Sequence, residues 1–334
     1  MVHAVVTGAA GFLGFHIARA LAKRPGHRVT IVDNFVRGER DPHYAALSAL
    51  PNVTAIEADL CDAAAVSALP LDVDFVYHMA ALNGTQNFYE RPLEVIKCCT
   101  LPTLFLADHY KAAKSVARFV YAGTSEAYAS TVTRFNWPVP TAEDVPLGID
   151  DVSNPRWSYG ASKMHGEVVT LQTGLSTGLP VTVIRFHNAY GPRMGDKHVV
   201  PDFNERMKSG RYELFGHEDT RSFIYVDDAV RATIMAAECP GSIGQVVNVG
   251  SQREITIRAL AEEMLRERGV DAPIVLHPSP KGSVKRRAPD ISKLKGLTGF
   301  EEKIDLTRGL GATADFYLNG RLADAIDPDA VYQV

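Results

Sequence analysis

A glycine-rich turn close to the start of the chain constrains the fold more than any other feature. Gly8, Gly11 and Gly14 follow the apolar run 4–6 at a spacing of three and three, whereas the common dinucleotide fingerprint has a different spacing. Glycine lets the backbone turn tightly beside a phosphate, and a helix N-terminus offers free N–H groups and a positive dipole end. A strand, this turn and a helix together predict a nucleotide site.

An acidic residue follows where a cofactor ribose would need it. Asp33 closes the second strand-like segment, 28–32, about 20 residues after the turn, where a carboxylate can bind a ribose 2′-OH. Asp33 would repel a 2′-phosphate, whereas the nearby Arg37 could attract one. The carboxylate is better placed, so the sequence favours NAD over NADP.

Composition limits the classes of protein that remain. The chain has 334 residues, 46% of them hydrophobic and 22% charged, which predicts a packed soluble core. A net charge of -4 without a long basic run argues against nucleic acid as a partner. We expect no signal peptide, no membrane span and no metal site, and reduced thiols in the cytoplasm. The cysteines that lack metal-ligand spacing are Cys61, Cys98, Cys99 and Cys239.

Strand-like and helical patterns alternate along the first part of the chain. This alternation predicts an α/β fold, a Rossmann-type doubly wound parallel sheet with helices on both faces. The predicted strands are 4–6, 29–32, 53–56, 75–78, 119–121 and 181–186, and the helices are 12–22, 63–68, 93–113 and 158–177.

Shorter, mixed elements follow residue 192 and predict a smaller mixed α/β lobe that binds substrate. We place the NAD-binding domain at 1–190, the lobe at 191–320 with possible interleaving, and a tail at 321–334. The predicted lobe elements are helices at 202–208, 227–238 and 257–268 and strands at 221–225, 246–249 and 274–277.

Tyr159 and Lys163 lie four residues apart, so a helix places them on one face. A cation beside a phenol lowers its pKa, which lets the phenol exchange a proton near neutral pH. The alternative is an ordinary surface pair.

Two hydroxyls and a carboxylate follow the predicted strand 119–121. Thr124, Ser125 and Glu126 can hydrogen-bond a sugar oxygen and move a proton at a strand's carboxyl end. The same residue types suit a helix N-terminus, so both interpretations stay open.

As a set, these motifs resemble the extended short-chain dehydrogenase/reductase family, and within it the nucleotide-sugar epimerases, dehydratases and decarboxylases. The resemblance runs from residue 2 to about 318. The residues that carry it are Gly8, Gly11, Gly14, Asp33, Asp59, Leu60, His78 to Ala81, Thr124, Tyr159 and Lys163.

The resemblance implies a bound NAD that takes a hydride from C4 of a sugar. Tyr159 is then the base for the 4-OH, Lys163 binds the nicotinamide ribose, and Thr124 hydrogen-bonds the 4-oxygen. Ser125 and Glu126 complete the implied catalytic group. The implied cofactor-binding residues are Gly8, Gly11, Phe12, Leu13, Gly14, Asp33, Asn34, Asp59, Leu60, Ala80, Ala81, Tyr159, Lys163 and Phe186.

The resemblance also implies a nucleotide-diphosphate sugar as substrate and a homodimer formed by helices 93–113 and 158–177. Asn188 and Arg221 would bind the diphosphate, and Arg287 would face the substrate. The implied substrate-binding residues are Asn83, Thr124, Asn188, Arg221 and Arg287.

Glu126 leaves the net reaction open. We favour a 4-epimerase, with a UDP-glucuronate decarboxylase next, because Thr-Ser-Glu and Arg287 resemble decarboxylases while the loop 82–86 does not. A 4,6-dehydratase is third, because Ser125 and Glu126 replace an Asp-Glu pair. A C4 dehydrogenase that releases a ketosugar and an NAD-binding sensor or scaffold are further alternatives. Cys99 lies where many members have Asn, which puts that cofactor-side contact in doubt.

Overall fold

The computed structural model describes residues 1–195, 198–279 and 284–322, so most of the predicted tail lies outside it. Its strands are β1 (Val2–Thr7), β2 (His27–Asp33), β3 (Val53–Glu57), β4 (Phe75–His78), β5 (Arg118–Thr124), β6 (Val181–Phe186), β7 (Ala189–Tyr190), β8 (Glu213–Phe215), β9 (Thr220–Ser222), β10 (Ile224–Tyr225), β11 (Gln245–Val249), β12 (Glu254–Thr256), β13 (Val275–His277) and β14 (Arg286–Arg287). Its helices are α1 (Phe12–Ala22), α2 (Pro42–Ser48), α3 (Ala63–Ser67), α4 (Thr85–Glu90), α5 (Pro92–Tyr110), α6 (Ala129–Phe135), α7 (Trp157–Thr177), α8 (Val199–Lys208), α9 (Val226–Glu238), α10 (Ile257–Glu267), α11 (Ser292–Thr298) and α12 (Leu306–Asn319). Ser125–Tyr128 and Pro240–Ser242 form short 3-10 helices.

The main sheet has seven strands in the order β11-β6-β5-β4-β1-β2-β3, and every neighbouring pair is parallel. This confirms the predicted doubly wound sheet. The strand order reverses at β1, which pairs with β2 on one side and β4 on the other. Ligands of such sheets bind in the crevice at the carboxyl ends of the strands at this reversal.

Alternate side chains of the strands enter two separate cores. Ala4 and Val6 of β1 pack in a core that includes Ile17 of α1, whereas Val5 packs in a second core with Leu106 of α5. Successive side chains of a strand point to opposite faces, so helices cover both faces of the sheet. Burial on both faces explains why β1 reads as a continuous apolar run.

One strand beyond residue 190 completes the main sheet. β11 pairs with β6, with Val247 opposite Ile184, although it follows the short strands and helices of the predicted lobe. The short strands on both sides of β11 along the chain form three small sheets, in the orders β10-β7, β12-β9-β14 and β13-β8. The boundary at residue 190 stays a prediction.

The structure differs from the sequence prediction in two ways. The predicted strand 221–225 is two strands, β9 and β10, which belong to different sheets because the chain changes partner at the buried Phe223. The sequence prediction also missed five helices. Four of them, α2, α4, α6 and α11, are too short to show a helical period in the sequence. The fifth, α12, carries glycines, which have a low helix propensity. A Cβ on its Gly309 would lie 2.1 Å from the Tyr190 hydroxyl oxygen, so packing requires that glycine.

The helices of the described residues do not meet the length and apolarity that a bilayer span needs, and the cytoplasmic location stays a prediction.

A buried ion pair joins α7 to β6. The Arg185 guanidinium donates to both carboxylate oxygens of Glu167, with the shortest contact at 2.8 Å, and both side chains are at most 5% exposed. Arg185 also donates to the Tyr128 hydroxyl at 2.6 Å, and that hydroxyl donates to Asn248 of β11 at 2.8 Å. The network fixes α7, which carries Tyr159 and Lys163, against three neighbouring elements.

Replacing Glu167 should therefore destabilise the whole fold. We expect Glu167→Gln to lower the free energy of unfolding by about 3–5 kcal/mol, because it leaves the buried Arg185 charge without its counter-ion. Denaturant titration followed by circular dichroism measures this. Glu205→Gln, which removes a half-exposed partner of Lys208, should cost less than about 1 kcal/mol. Equal losses in the two variants would contradict the role given to the buried pair.

Candidate active site

The glycine turn brings three segments into backbone contact. Gly8 has a φ of +70°, and a Cβ on it would lie 2.7 Å from the Ala80 nitrogen. A Cβ on Gly14 would lie 2.2 Å from the Gly8 carbonyl oxygen. Only glycine fits at either position, so the sequence requirement is steric. The turn therefore lies directly against Ala80 at the end of β4.

The first turn of α1 leaves its N–H groups open. Gly11 is the N-cap residue and provides no side-chain cap. Phe12 and Leu13 follow as the first helical residues and are partly buried. Open backbone donors and the positive end of the helix dipole fit the pyrophosphate of a dinucleotide.

Asp33 ties the end of β2 to this turn. Its buried carboxylate accepts the Ala10 N–H at 2.9 Å and the Phe35 N–H at 2.8 Å. The Asn34 amide donates to Asp59 at 3.2 Å, so the two segments implied for the adenosine half lie together. Leu60 is buried. These residues fit a dinucleotide with a free ribose 2′-OH.

Thr124 caps a helix, as one of the two interpretations left open by the sequence predicts, and its contact with a sugar oxygen stays a prediction. Its hydroxyl accepts the Glu126 N–H at 3.2 Å and so caps the 3-10 helix. The same side chain lies near enough to Tyr159 to lower the pKa of that residue. Phe186 lies beside Thr124 as its register partner on β6, and Ser125 is buried.

Tyr159 lies in a small cluster of apolar side chains. Its ring stacks on Phe88 of α4, with centroids 4.9 Å apart and planes 12° apart. Burial raises the pKa of Tyr159, and the Arg37 charge and the nearby Thr124 side chain only partly oppose this. The lowered pKa expected from sequence is wrong for this structure, because burial outweighs the nearby cation. The cluster contains Leu82, Phe88, Val95, Cys99 and Tyr159.

Lys163 lies one helical turn after Tyr159 and is 1% exposed. Its ammonium nitrogen is 4.3 Å from the centroid of the Tyr121 ring. Burial lowers the pKa of Lys163 to about 8, although Cys99 and Glu167 favour the charged form. Lys163 is thus a buried amine whose pKa lies close to neutral pH.

Glu126 is held between two arginines. One carboxylate oxygen accepts from Arg156 at 2.7 Å and the other from Arg287 at 2.7 Å. Burial alone would raise the pKa of Glu126, but the charges of Arg287 and Arg156 outweigh it and lower that pKa to about 2. Glu126 is therefore ionised at every physiological pH. It cannot donate a proton, and both of its oxygens are engaged.

A basic edge faces this carboxylate from the lobe. Arg221 and Arg287 are register partners on β9 and β14. Burial and the Arg287 charge lower the pKa of Arg221 to about 10. The Asn188 amide donates to the Ser222 carbonyl at 2.9 Å, which places Asn188 on the same edge.

Asn83 uses its side chain within its own loop. The amide oxygen of its side chain accepts the Gly84 N–H at 2.6 Å. Its contact with substrate stays a prediction, as do the roles of the other residues assigned from the resemblance.

Sequence reasoning missed Phe88 and Arg156. It named Arg37 only as a group that could attract a 2′-phosphate, and missed that its charge acts on Tyr159. Arg156 carried a usable signal, because a cation at a helix N-terminus opposes the helix dipole and calls for an acidic partner. Phe88 carried none, because α4 is a single short helix.

Comparison with known proteins agrees with this geometry. A family model described as the NAD dependent epimerase/dehydratase family matches residues 4–250. A UDP-N-acetyl-alpha-D-glucosaminuronate decarboxylase of Bacillus cytotoxicus is 32% identical over 94% of this chain and 97% of its own length. The structure of a UDP-glucose 4-epimerase from Thermotoga maritima with UDP-glucose has a TM-score of 0.83 and 29% identity, and covers 95% of this chain and 98% of that one. A UDP-glucuronic acid 4-epimerase from Bacillus cereus, in complex with UDP-glucuronic acid and NAD, has a TM-score of 0.84 and 26% identity, and covers 95% and 99%.

The lowered pKa of Glu126 makes a pH-dependent contribution to stability. A carboxyl with a depressed folded-state pKa stabilises the protein above its unfolded value of 4.5 and loses this as the pH falls towards 2. We expect Glu126→Gln to lower the free energy of unfolding by roughly 3 kcal/mol at pH 7, with the difference shrinking steadily below about pH 5. Urea titrations of both proteins across pH measure this, and Glu262→Gln, at an exposed pair with Arg258, should differ little. A difference that does not change with pH would contradict the assignment.

Proposed function

The chain belongs to the NAD-dependent epimerase/dehydratase family, and on that basis we propose that it decarboxylates a nucleotide-diphosphate sugar that carries a carboxylate at C6. One observation carries the proposal. Glu126 is ionised and held by Arg156 and Arg287, beside Thr124 and Tyr159.

The reaction begins at C4 of the sugar. The positive charge of a bound NAD would oppose the burial that raises the pKa of Tyr159, and the ionised Tyr159 would then remove the proton of the 4-OH while Thr124 holds the same oxygen. A bound NAD, held by the glycine turn and Asp33, would supply the hydride acceptor for C4. The C6 carboxylate is then β to a ketone, so the C5–C6 bond breaks, CO2 leaves, and the electron pair passes into the C4–C5 enolate. Water supplies the proton that adds at C5, the hydride returns to C4, and Tyr159 gives its proton back to the 4-oxygen. The turnover is redox-neutral, and its net change is the loss of CO2 and the uptake of one proton.

The two arginines give the substrate carboxylate a place to bind. Arg156 and Arg287 attract it, while Glu126 accepts one hydrogen bond from each guanidinium and offsets part of their charge. Loss of CO2 removes the negative charge from the carboxylate, so a site that held that charge too tightly would stabilise the substrate more than the transition state. The compensating carboxylate avoids this.

The state of Glu126 also argues against a 4,6-dehydratase. Elimination of water needs groups that donate and accept protons, and a carboxylate with a pKa of about 2 and two arginine partners is poorly suited to either task. One relative that matches nearly the full length is a UDP-N-acetyl-alpha-D-glucosaminuronate decarboxylase, which supports the proposal.

A 4-epimerase, the outcome favoured from sequence, is the second candidate. Two solved 4-epimerases have TM-scores of 0.83 and 0.84 with this chain, and one binds UDP-glucuronic acid. Epimerisation uses the same oxidation at C4 and differs only in the face to which the hydride returns.

Product mass separates these reactions. With UDP-glucuronate and UDP-N-acetylglucosaminuronate as substrates, we expect a product that has lost CO2, without net accumulation of NADH. Tyr159→Phe should lower turnover by about 10²–10⁴-fold, because it removes the proposed base for the 4-OH proton. The exposed Tyr89→Phe is the matched control. An isomer of unchanged mass would instead establish the epimerase, and stoichiometric NADH the dehydrogenase.

We also propose a homodimer through α5 and α7, as the resemblance implies. The two helices pack against each other and carry exposed apolar side chains on their outer sides. These are Leu93, Ile96 and Leu104 on α5, and Val168 and Leu175 on α7.

Charged substitutions on this face test the dimer. We expect the wild type to elute as a dimer in size-exclusion chromatography with light scattering. The double variant Leu104→Glu with Val168→Glu should be a monomer, because the apolar face could no longer be buried. Leu71→Glu, which places the same charge at an exposed leucine elsewhere, should stay dimeric. A monomeric wild type would refute the proposal.

A further inference from the structure

Two half-buried thiols from distant parts of the chain face each other. Cys61 follows β3, Cys98 lies in α5, and their Sγ atoms are 3.8 Å apart. A disulfide bond is about 2 Å long, so the sulfurs need to approach by less than about 2 Å. No cluster of His, Cys, Asp or Glu in the described ranges could hold a metal ion there. We propose that Cys61 and Cys98 form a reversible disulfide that weakens the binding of NAD.

The pair connects two parts of the candidate site. The Cys61 N–H donates to the Asp59 carboxylate at 3.0 Å, and the Asn34 amide donates to the same oxygen. Cys98 packs against the apolar cluster that contains Tyr159. The proposal therefore rests on the cofactor segment at Asp59 and Leu60, and is independent of which sugar the enzyme uses.

The two thiols differ in reactivity. The Cys61 thiol donates to the Cys98 sulfur, and this hydrogen bond lowers the pKa of Cys98 and raises that of Cys61. The thiolate is the attacking species in thiol–disulfide exchange. Cys98 is thus the first nucleophile and Cys61 the resolving thiol.

Glutathione disulfide is a suitable oxidant. The Cys98 thiolate attacks one of its sulfurs and releases one glutathione thiolate. Cys61 loses its proton and attacks the Cys98 sulfur of the mixed disulfide, which releases the second glutathione. The protein loses two electrons and two protons, and one glutathione disulfide becomes two glutathione thiols.

The proposed dimer leaves this pair accessible. Leu93 and Leu104 are exposed on one side of α5, three turns apart. Cys98 comes five residues after Leu93, so at about 100° per residue it lies well round the helix from that side. Cys99 is only 1% exposed and does not compete for the oxidant.

Closing the bond should move the cofactor segment rather than the helix. α5 has 19 residues and packs along α7, whereas Asp59 and Cys61 lie in the connection between β3 and α3. Moving Cys61 towards α5 strains the hydrogen bonds that Asp59 makes. The residues at Asp59 and Leu60 would then be displaced from the positions in which they contact NAD, which weakens its binding.

Oxidation of the purified NAD-loaded protein tests this directly. After treatment with glutathione disulfide, we expect a Cys61–Cys98 cross-linked peptide in non-reducing mass spectrometry. The NAD retained after gel filtration should fall roughly tenfold, within the usual range of coupling between sites, and a second NAD addition after dithiothreitol should restore it. Both readouts are independent of any sugar substrate, so failure of the decarboxylase proposal would leave them unchanged.

Three variants complete the test. Cys61→Ser and Cys98→Ser should each keep their NAD under the oxidant, whereas Cys239→Ser, at another half-buried thiol, should respond like the wild type. A stable glutathione adduct on Cys98 without the cross-link would overturn the disulfide. A cross-link with unchanged NAD content would overturn its effect on the cofactor.

Discussion

The close backbone approach at Gly8 and Gly14 is the constraint on which the rest of the site depends. Because neither residue has a Cβ, the backbones of β1, α1 and the end of β4 can come into direct contact. That contact sets the crevice where the strand order reverses, and Asp33 fastens β2 to the same turn through the Ala10 N–H. The carboxyl ends of the strands can then present the side chains of the site to one ligand.

Charge at the site is controlled by burial and by pairing. Tyr159 and Lys163 lie in apolar surroundings that favour their neutral forms, whereas Glu126 remains ionised because two guanidinium groups outweigh its burial. Lys163, with a pKa of about 8, can therefore exchange a proton near neutral pH, whereas Glu126 holds a fixed charge. The division follows from position, since the Tyr159 ring is enclosed by Phe88 while Glu126 faces the basic edge of the lobe.

Much of this could be predicted from sequence. The glycine spacing, the alternating apolar runs and the Tyr159–Lys163 pair are local patterns, and they predicted the sheet and the helix that carries the pair. The contacts of Glu126 could not be predicted, because its partners lie 30 and 161 residues away. The pKa direction of Tyr159 failed for the same reason, since burial is a property of the folded chain. Strand 221–225 failed because periodicity does not reveal a change of sheet at Phe223.

The place of β11 has a consequence for synthesis of the protein. The strand pairs with β6, yet about sixty residues of the smaller sheets and helices separate the two along the chain. During translation, β6 therefore has an unpaired edge until residue 249 has left the ribosome. An unpaired edge strand is a template for wrong pairing. The order of segments in this gene product thus sets the period over which the nascent chain is most exposed to aggregation.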